Sequence, residues 1–375
     1  MVELINGQRC DNTWMRLNCL MDMLEWGMLA CRSRPHLCAM ARGAEVRTGK
    51  YGLNIGGFIG LEPVGSRSAP VHPGAYFLSS GRSCMAAILD ASPEVVRVHV
   101  PYYSCDSVLV AMEERGIEVS FYPIGETLLP QKRIEPQDDE LLVLIDLFGL
   151  RGSAFTQLGA GLGRNVVFDD THAFHAGRRD PQQWSFNSAR KFHGTPDGAF
   201  LYAPIPMQAP TGRNEAVSAE HLLLRYLGAN AEAYAAYRRN EECVTTEFLA
   251  GNLISELVLR RTDHTHCMEV RRRNFLKLAE LLGPLNTLPV QLGPGATPYC
   301  YPLFLKGDRS QLRAELQALG IFVPVLWNDV ITREDRSGEF VFEKDLSRGL
   351  LALPVDQRYG TSEMEALAEQ VKILS

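Results

Sequence analysis

Apolar runs alternate with helical patterns through the middle of the chain. After a Ser/Pro-rich stretch that ends at Pro73, the run Tyr76-Phe77-Leu78 predicts a short strand, and Cys84 to Leu89 predicts a helix. The same order returns further along, and the elements predicted there are a strand over 95–100, a helix over 107–115 and a strand over 117–122.

Two continuous apolar runs extend this pattern. Leu141 to Asp146 and Val166 to Phe168 are typical of strands that are buried on both faces of a sheet. Strands that alternate with helices predict an α/β fold with a doubly wound, mostly parallel sheet. Ligands bind such sheets beyond the carboxyl ends of the strands. Residues that directly follow a predicted strand are therefore the candidates for chemistry.

The pattern divides the chain into three parts. Residues 1–50 lack clear periodicity, and Met1 to about Arg47 is either an extension or the product of an upstream start, with Met40 nearer to the real one. Residues 51–284 are predicted to form a large domain that ends in a helical bridge, and residues 285–375 a smaller α/β domain. The predicted helices span 217–227, 231–249, 268–282, 309–319 and 362–374, and the late strands span 299–305 and 321–326.

Charge and composition narrow the class of protein. The 375 residues carry a formal net charge of −6, so there is no basic excess for binding nucleic acid. No apolar run reaches the roughly 18 residues that a membrane span needs. Glu3 stands where a secretory signal would be basic, so we expect a cytoplasmic protein without a membrane partner. The nine cysteines show no C-x-x-C spacing, which predicts reduced thiols.

Histidine spacing predicts no metal site. The pairs His172 with His175 and His264 with His266 lack carboxylates or cysteines at the usual ligand spacing. The basic run over 271–273 is interpreted as the solvated face of a bridging helix.

A small-residue turn precedes the first predicted helix. Ser80-Gly81-Arg82-Ser83 offers backbone N–H groups, hydroxyls and a helix N-terminus, which together suit a phosphate ester. A serine N-cap with no ligand is the structural alternative.

Two further strand ends carry charged residues. Asp169 and Asp170 follow the strand that ends at Phe168, and an aspartate there can accept a hydrogen bond from a protonated pyridine nitrogen. His172 either contacts the same ligand or fills the loop. Lys191, beside Arg190 and near Ser188, could form an imine if its pocket is electropositive and partly desolvated. A solvated loop and an ordinary surface lysine are the alternatives.

The segment after the predicted strand over 95–100 offers a face for a planar ring. Tyr103 or Cys105 could cover such a ring, and core packing of the tyrosine is equally plausible.

The combination and order of these motifs resemble the DegT-type sugar aminotransferases, a branch of the fold-type I enzymes that use pyridoxal 5′-phosphate (PLP). The resemblance runs from about Gly56 to the carboxy terminus and includes the form Ser188-Ala189-Arg190-Lys191. It implies that Lys191 carries PLP as a Schiff base, that Asp169 pairs with the pyridine nitrogen and that His172 reaches the ring hydroxyl. It also implies phosphate binding by the turn that comprises Ser80, Gly81, Arg82 and Ser83.

Three positions qualify the resemblance. Better-known members stack an aromatic residue on the ring at the position where this chain has Cys105. They also place a serine five residues before the lysine, where this chain has Phe186. Ser188 or Ser185 could replace that serine. Some relatives that act as dehydratases have histidine in place of the lysine, and the retained Lys191 favours transamination.

The resemblance also implies an activity. It is a homodimeric aminotransferase that moves an amino group from glutamate or glutamine to a keto-sugar, expected to be nucleotide-linked, in polysaccharide or secondary-metabolite synthesis. One alternative keeps PLP but has a non-sugar acceptor or elimination chemistry. Another is a non-catalytic protein that retains the fold.

Overall fold

A seven-stranded sheet is the centre of the molecule. The computed structural model describes residues 53–62, 65 and 70–375, so the predictions for residues 1–50 lie outside the described residues. The strands are β1 (Ile55–Gly56), β2 (Tyr76–Leu78), β3 (Arg97–Pro101), β4 (Glu118–Tyr122), β5 (Glu140–Ile145), β6 (Val166–Asp170), β7 (Trp184–Asn187), β8 (Ala199–Tyr202), β9 (Cys300–Phe304), β10 (Ile321–Phe322) and β11 (Leu350–Pro354).

The strand order confirms the predicted fold class. The central sheet runs β2-β8-β7-β6-β5-β3-β4. Neighbours from β7 through β4 are parallel, whereas β8 is antiparallel to both β7 and β2. Every residue of β5, β6 and β7 is buried, because both faces of the sheet are covered. The sheet is thus doubly wound and mostly parallel.

The helices occupy the segments between and after these strands. They are α1 (Gly81–Asp90), α2 (Val110–Glu113), α3 (Glu220–Tyr226), α4 (Asn230–Glu242), α5 (Leu253–Arg261), α6 (His264–Leu282), α7 (Ser310–Ala318), α8 (Asn328–Thr332), α9 (Val341–Gly349) and α10 (Thr361–Leu374). No helix in the described ranges is long and apolar enough to cross a membrane.

The register of the central strands brings the candidate residues to one edge. Asp169 pairs with Ile145 of β5 on one side and with Phe186 of β7 on the other. Asp169 and Asp170 are the last residues of β6, and do not follow the strand as predicted. Because these strands are parallel, their carboxyl ends meet at the same edge. This edge faces the N-terminus of α1, which follows β2.

Two predicted helices are shorter than expected. The helix over 107–115 consists of a 3₁₀ turn at Asp106–Val108 followed by the four residues of α2. The helix over 231–249 ends at Glu242, because the chain beyond it bonds to the turn before α1. Thr245 O accepts hydrogen bonds from the Ser80 and Ser83 hydroxyls at 3.1 Å each. The segment 253–261, missed in the sequence, forms α5 with an Asn252 cap that accepts the Ile254 N–H.

Two small sheets complete the described structure. β9 and β11 form an antiparallel pair, and β10 pairs in parallel with β1. The strand predicted over 321–326 is therefore limited to Ile321–Phe322. The predicted domain boundary between residues 284 and 285 stays a prediction.

Candidate functional site

A cavity of about 1000 Å³ opens at the carboxyl edge of the central sheet. Ligand pockets range up to about 1,000 Å³, so this one is large enough for a cofactor together with a second molecule. Seven of the predicted site residues line it, namely Ser80, Gly81, Arg82, Cys105, Asp169, Ser188 and Lys191. Segments close in sequence to β1 and β10 form the opposite wall.

The turn before α1 combines a helix cap with an anion-binding arrangement. Ser80 is the N-cap, and its Oγ accepts the Ser83 N–H at 3.0 Å. Ser83 is fully buried and does not line the cavity; its hydroxyl bonds to Ser79 and Ser80. A direct ligand contact by Ser83 therefore does not fit this structure. The helix N-terminus at Gly81 and the Arg82 guanidinium remain as the groups that favour an anion.

Asp169 is a buried carboxyl in the cavity wall. It is 1% exposed, and its Oδ1 accepts the Thr171 N–H at 2.9 Å. Burial raises the pKa of Asp169 to about 6, against the opposing effects of the Thr171 hydrogen bonds and the Lys191 charge. A cationic ring nitrogen beside it would stabilise the ionised form.

His172 lies behind the cavity wall with one nitrogen unused. Its ring is 1% exposed and stacks on Tyr299 at a centroid distance of 4.5 Å and on Trp327 at 5.6 Å. The Phe148 N–H donates to His172 Nδ1 at 3.3 Å. Burial and the Lys191 charge lower the pKa of His172, so the ring is neutral and its proton lies on Nε2. Nε2 has no hydrogen-bond partner among the described residues.

Lys191 ends the short helical turn that follows β7. Its Nζ lies 5.8 Å from the centre of the Tyr299 ring. The neighbouring Arg190 forms an ion pair with Glu241, so the Glu241 carboxylate already has a cationic partner within the protein. The loop is fixed by the Ala189 N–H, which donates to Gly198 O at 2.9 Å. Gly198 has φ +109° and packs against Phe77, so only glycine fits there without strain.

Tyr103 and Cys105 were the alternatives for contact with the ring, and Ser188 and Ser185 were the alternatives for the serine expected at position 186. The structure places the members of each pair differently. Tyr103 is fully buried, donates its hydroxyl to Leu326 O and does not line the cavity. Cys105 does line it. Ser188 and Phe186 face the cavity, whereas the Ser185 hydroxyl is buried on the other face of β7 without a partner among the described residues.

Several cavity residues carry no signal in the local sequence. They are Arg225, Arg271, Tyr299, Arg313 and Trp327. Arg271 corrects the interpretation of the basic run as a solvated face. Its side chain is fully buried, donates from Nε to Gln357 Oε1 at 2.9 Å and also donates to Phe192 O at 3.2 Å. Long-range packing brings these residues to the cavity, so no motif reveals them.

Comparison with known proteins identifies the fold. No protein-family model and no curated protein matches the chain. A DegT DnrJ EryC1 StrS aminotransferase from Brucella abortus matches with a TM-score of 0.55 and 16% identity, over 80% of this chain and 85% of that one. The PLP-form of a putative sugar aminotransferase, Spr1654 from Streptococcus pneumoniae, matches with a TM-score of 0.59 and 12% identity, over 85% and 93%.

A dehydratase shares the same architecture. The Escherichia coli GDP-4-keto-6-deoxy-D-mannose-3-dehydratase with bound hydrated PLP matches with a TM-score of 0.55 and 17% identity, over 79% of this chain and 87% of that one. At these identities the likeness establishes the fold. The chain has the fold-type I architecture of PLP-dependent aminotransferases, as the resemblance predicted.

Proposed function

We propose that this chain is a PLP-dependent aminotransferase in which Lys191 carries the cofactor. The observation that supports this most is the joint placement of Lys191, Asp169 and the turn before α1 in one cavity wall. Each feature has an ordinary structural explanation when taken alone. Together they supply an amine, a carboxyl and a helix N-terminus around a single space.

The residues present fit the cofactor. The N-terminus of α1 and Arg82 would hold its phosphate, and Asp169 would accept a hydrogen bond from its ring nitrogen. The resemblance gives the ring hydroxyl to His172, which does not line the cavity here, so this contact would need its buried, unpartnered Nε2–H to reach the cavity when the cofactor binds. A buried donor without an acceptor costs free energy, so this orphaned group supports a ligand with an oxygen at that place.

The chain's own groups perform the proton transfers. When bound, PLP supplies an electron sink for the carbon that exchanges its amino group. Lys191 Nζ would take and return a proton at that carbon. Asp169, once ionised, would keep the ring nitrogen protonated. The neutral His172 packs behind the cavity wall against Tyr299 and Trp327.

The size and charge of the cavity support a large anionic substrate. Its cationic wall includes Arg82, Arg225 and Arg313 in addition to Lys191. Arg225 donates to Gly56 O at 2.8 Å and lies over the Phe58 ring at 4.8 Å, so its position is fixed before any ligand arrives. We propose glutamate or glutamine as amino donor and a nucleotide-linked keto-sugar as acceptor. The diphosphate of such an acceptor matches these guanidinium groups.

An exposed apolar surface beside the cavity supports a homodimer. Tyr226, Leu227 and Tyr234 on α3 and α4 are 64%, 76% and 57% exposed, and Tyr234 also lines the cavity. Large exposed apolar side chains that cluster commonly mark an interface. A second copy of the chain would cover them and complete the site.

Trapping of the cofactor tests the proposal. The purified chain with PLP is expected to show a visible imine absorbance, and borohydride followed by peptide mapping should place the adduct on Lys191. Lys191→Ala should lose both signals, whereas Lys306→Ala, which removes an exposed lysine, should keep them. A wild-type chain with neither signal would instead favour a non-catalytic protein with this fold.

The dehydratase among the structural matches makes elimination the second candidate. A ¹⁵N-labelled glutamate donor separates the two reactions. Transamination transfers the label to the acceptor, and elimination releases water without transfer. Absence of label in every product of an active enzyme would overturn the aminotransferase assignment while leaving the PLP site intact.

A further inference from the structure

Three histidine side chains meet outside the cavity. His175 lies in the loop after β6, His193 in the loop after Lys191 and His264 at the start of α6. One nitrogen of each lies within 4.8 Å of one nitrogen of each of the others. None of the three lines the cavity, so they belong to a separate site.

Each ring of this cluster has a nitrogen without a hydrogen bond. Among the described residues, both nitrogens of His175 and Nε2 of His193 have none, whereas His193 Nδ1 lies 3.5 Å from Glu62 Oε2. His264 Nε2 contacts Leu259 O at 2.8 Å, and a carbonyl only accepts, so the proton lies on Nε2 and Nδ1 keeps its lone pair. His264 Nδ1 is also without a partner there. The unpaired atoms of all three rings are therefore available to a ligand.

His72 provides a comparison, because it is a buried histidine whose ring nitrogens both have hydrogen-bond partners. His72 is buried close by, and its Nδ1 lies 3.0 Å from the Tyr202 hydroxyl while its Nε2 lies 3.0 Å from Asn187 Nδ2. Both nitrogens of His72 are satisfied. Burial of imidazole alone thus does not explain the unpaired nitrogens of the other three rings.

The ring positions match a tetrahedral metal ion. The ring centroids of His175, His193 and His264 are 5.4, 5.5 and 5.0 Å apart. Zinc binds imidazole nitrogen at about 2.0–2.1 Å, which in tetrahedral geometry places ring centres about 5 Å from one another.

We propose that His175, His193 and His264 bind a zinc ion. Water fills the fourth position. Glu62 Oε2 lies 3.5 Å from His193 Nδ1, where it would orient that ring so that Nε2 faces the ion. The ion ties the loop after Asp169 and the loop after Lys191 to the start of α6. Its role would be to hold the two loops that carry the cavity's carboxyl and amine.

Metal titration of the full chain tests this site. After treatment with chelator, the chain should bind one Zn²⁺ with a Kd below about 1 µM by calorimetry. Bound Co²⁺ should give the visible spectrum of a tetrahedral site, and Zn²⁺ should displace it. Zinc should also raise the Tm. These readouts do not use activity, so they fail or succeed independently of the proposed function.

Matched variants identify the ligands. His175→Gln, His193→Gln and His264→Gln should each weaken Zn²⁺ binding by more than about 100-fold, because even outer partners of ligating histidines contribute about 10–100-fold. Glu62→Gln should weaken it by about 10-fold or more. His266→Gln, on an exposed residue of the same helix, should leave it unchanged.

Two results would overturn the proposal. One is a wild-type chain that shows no stoichiometric Zn²⁺ binding and no tetrahedral Co²⁺ spectrum, which needs no variant to interpret. The other is binding that all three cluster variants retain at wild-type affinity.

Discussion

Asp169 and Asp170 are neighbours at the end of β6, and the alternation of the strand sends them to opposite faces of the sheet. On one face, Arg179 Nε donates to both oxygens of Asp170 at 3.0 Å, and another of its nitrogens lies 2.9 Å from Asp146. On the other face, Asp169 accepts hydrogen bonds from Thr171 and borders the cavity near Lys191.

The two faces differ in how their polar groups are satisfied. Burial opposes the charge of Arg179, but the carboxylates of Asp170 and Asp146 outweigh it and raise the pKa of the guanidinium. That face is closed, and its two carboxylates share the single Arg179 guanidinium, while burial still raises the pKa of Asp170 and raises that of Asp146 to about 6. The cavity face keeps a carboxyl whose pKa is raised by burial and a histidine nitrogen with no partner among the described residues.

The closed face should respond to mutation through stability. Arg179→Met leaves two buried carboxyls without their cation, so the free energy of unfolding should fall by about 3–5 kcal/mol in chemical denaturation. The matched control is Arg336→Met, which breaks an ion pair whose side chains are 85% and 72% exposed and should change stability by less than about 1 kcal/mol. Equal losses in the two variants would contradict the assignment of a structural role to this face.

Mutation of Asp169, on the cavity face, should instead lower the rate of turnover. Asp169→Asn removes the charge proposed to pair with the ring nitrogen, so kcat/KM should fall by about 10²–10³-fold, as for other preorganised electrostatic contacts. Its stability without cofactor should not decrease, because a neutral amide is easier to bury than a carboxylate. Asp170→Asn is the matched variant, and it should lose stability. A reversal of these two patterns would show that the faces are assigned wrongly.

Local patterns predicted the fold where the chain is continuously apolar. The runs at β2, β5 and β6 and the helical segment at α1 form as predicted, because their burial is visible in a few consecutive residues. β7 and β8 were missed, since each is short and β7 alternates Trp184 and Phe186 with polar residues. The helix over 231–249 was too long because the bonds of Thr245 to the turn before α1 are tertiary.

The site residues also divide into those that could be found from the sequence and those that only tertiary packing brings to the cavity. Asp169 was found because it lies at the end of a predicted strand of the parallel sheet, where ligands bind. Lys191 was assigned through the family resemblance, since the strand before it was missed. Arg225, Arg271 and Arg313 were missed because helices distant in sequence bring them to the cavity. The sequence interpretation set aside the pairs His172 with His175 and His264 with His266 as metal ligands. The structure joins His175 to His264 and His193, whereas His172 stacks beside the cavity.

The pH dependence of stability gives a further comparison of the faces. Asp169 has a folded pKa of about 6, raised by burial from its ordinary 3.8, so the folded state binds an extra proton between these values. The contribution of Asp169 to the stability of the cofactor-free chain should therefore fall as pH rises from about 4 to about 6, by at most about 3 kcal/mol. Asp169→Asn lacks this group, so its stability relative to wild type should rise over the same window in urea denaturation.

Bound PLP should reduce the difference, because a protonated ring nitrogen lowers the pKa of the carboxyl. A constant difference between pH 4 and 7 would mean that the pKa of Asp169 is not raised in the folded chain and that this carboxyl does not favour a cation beside it.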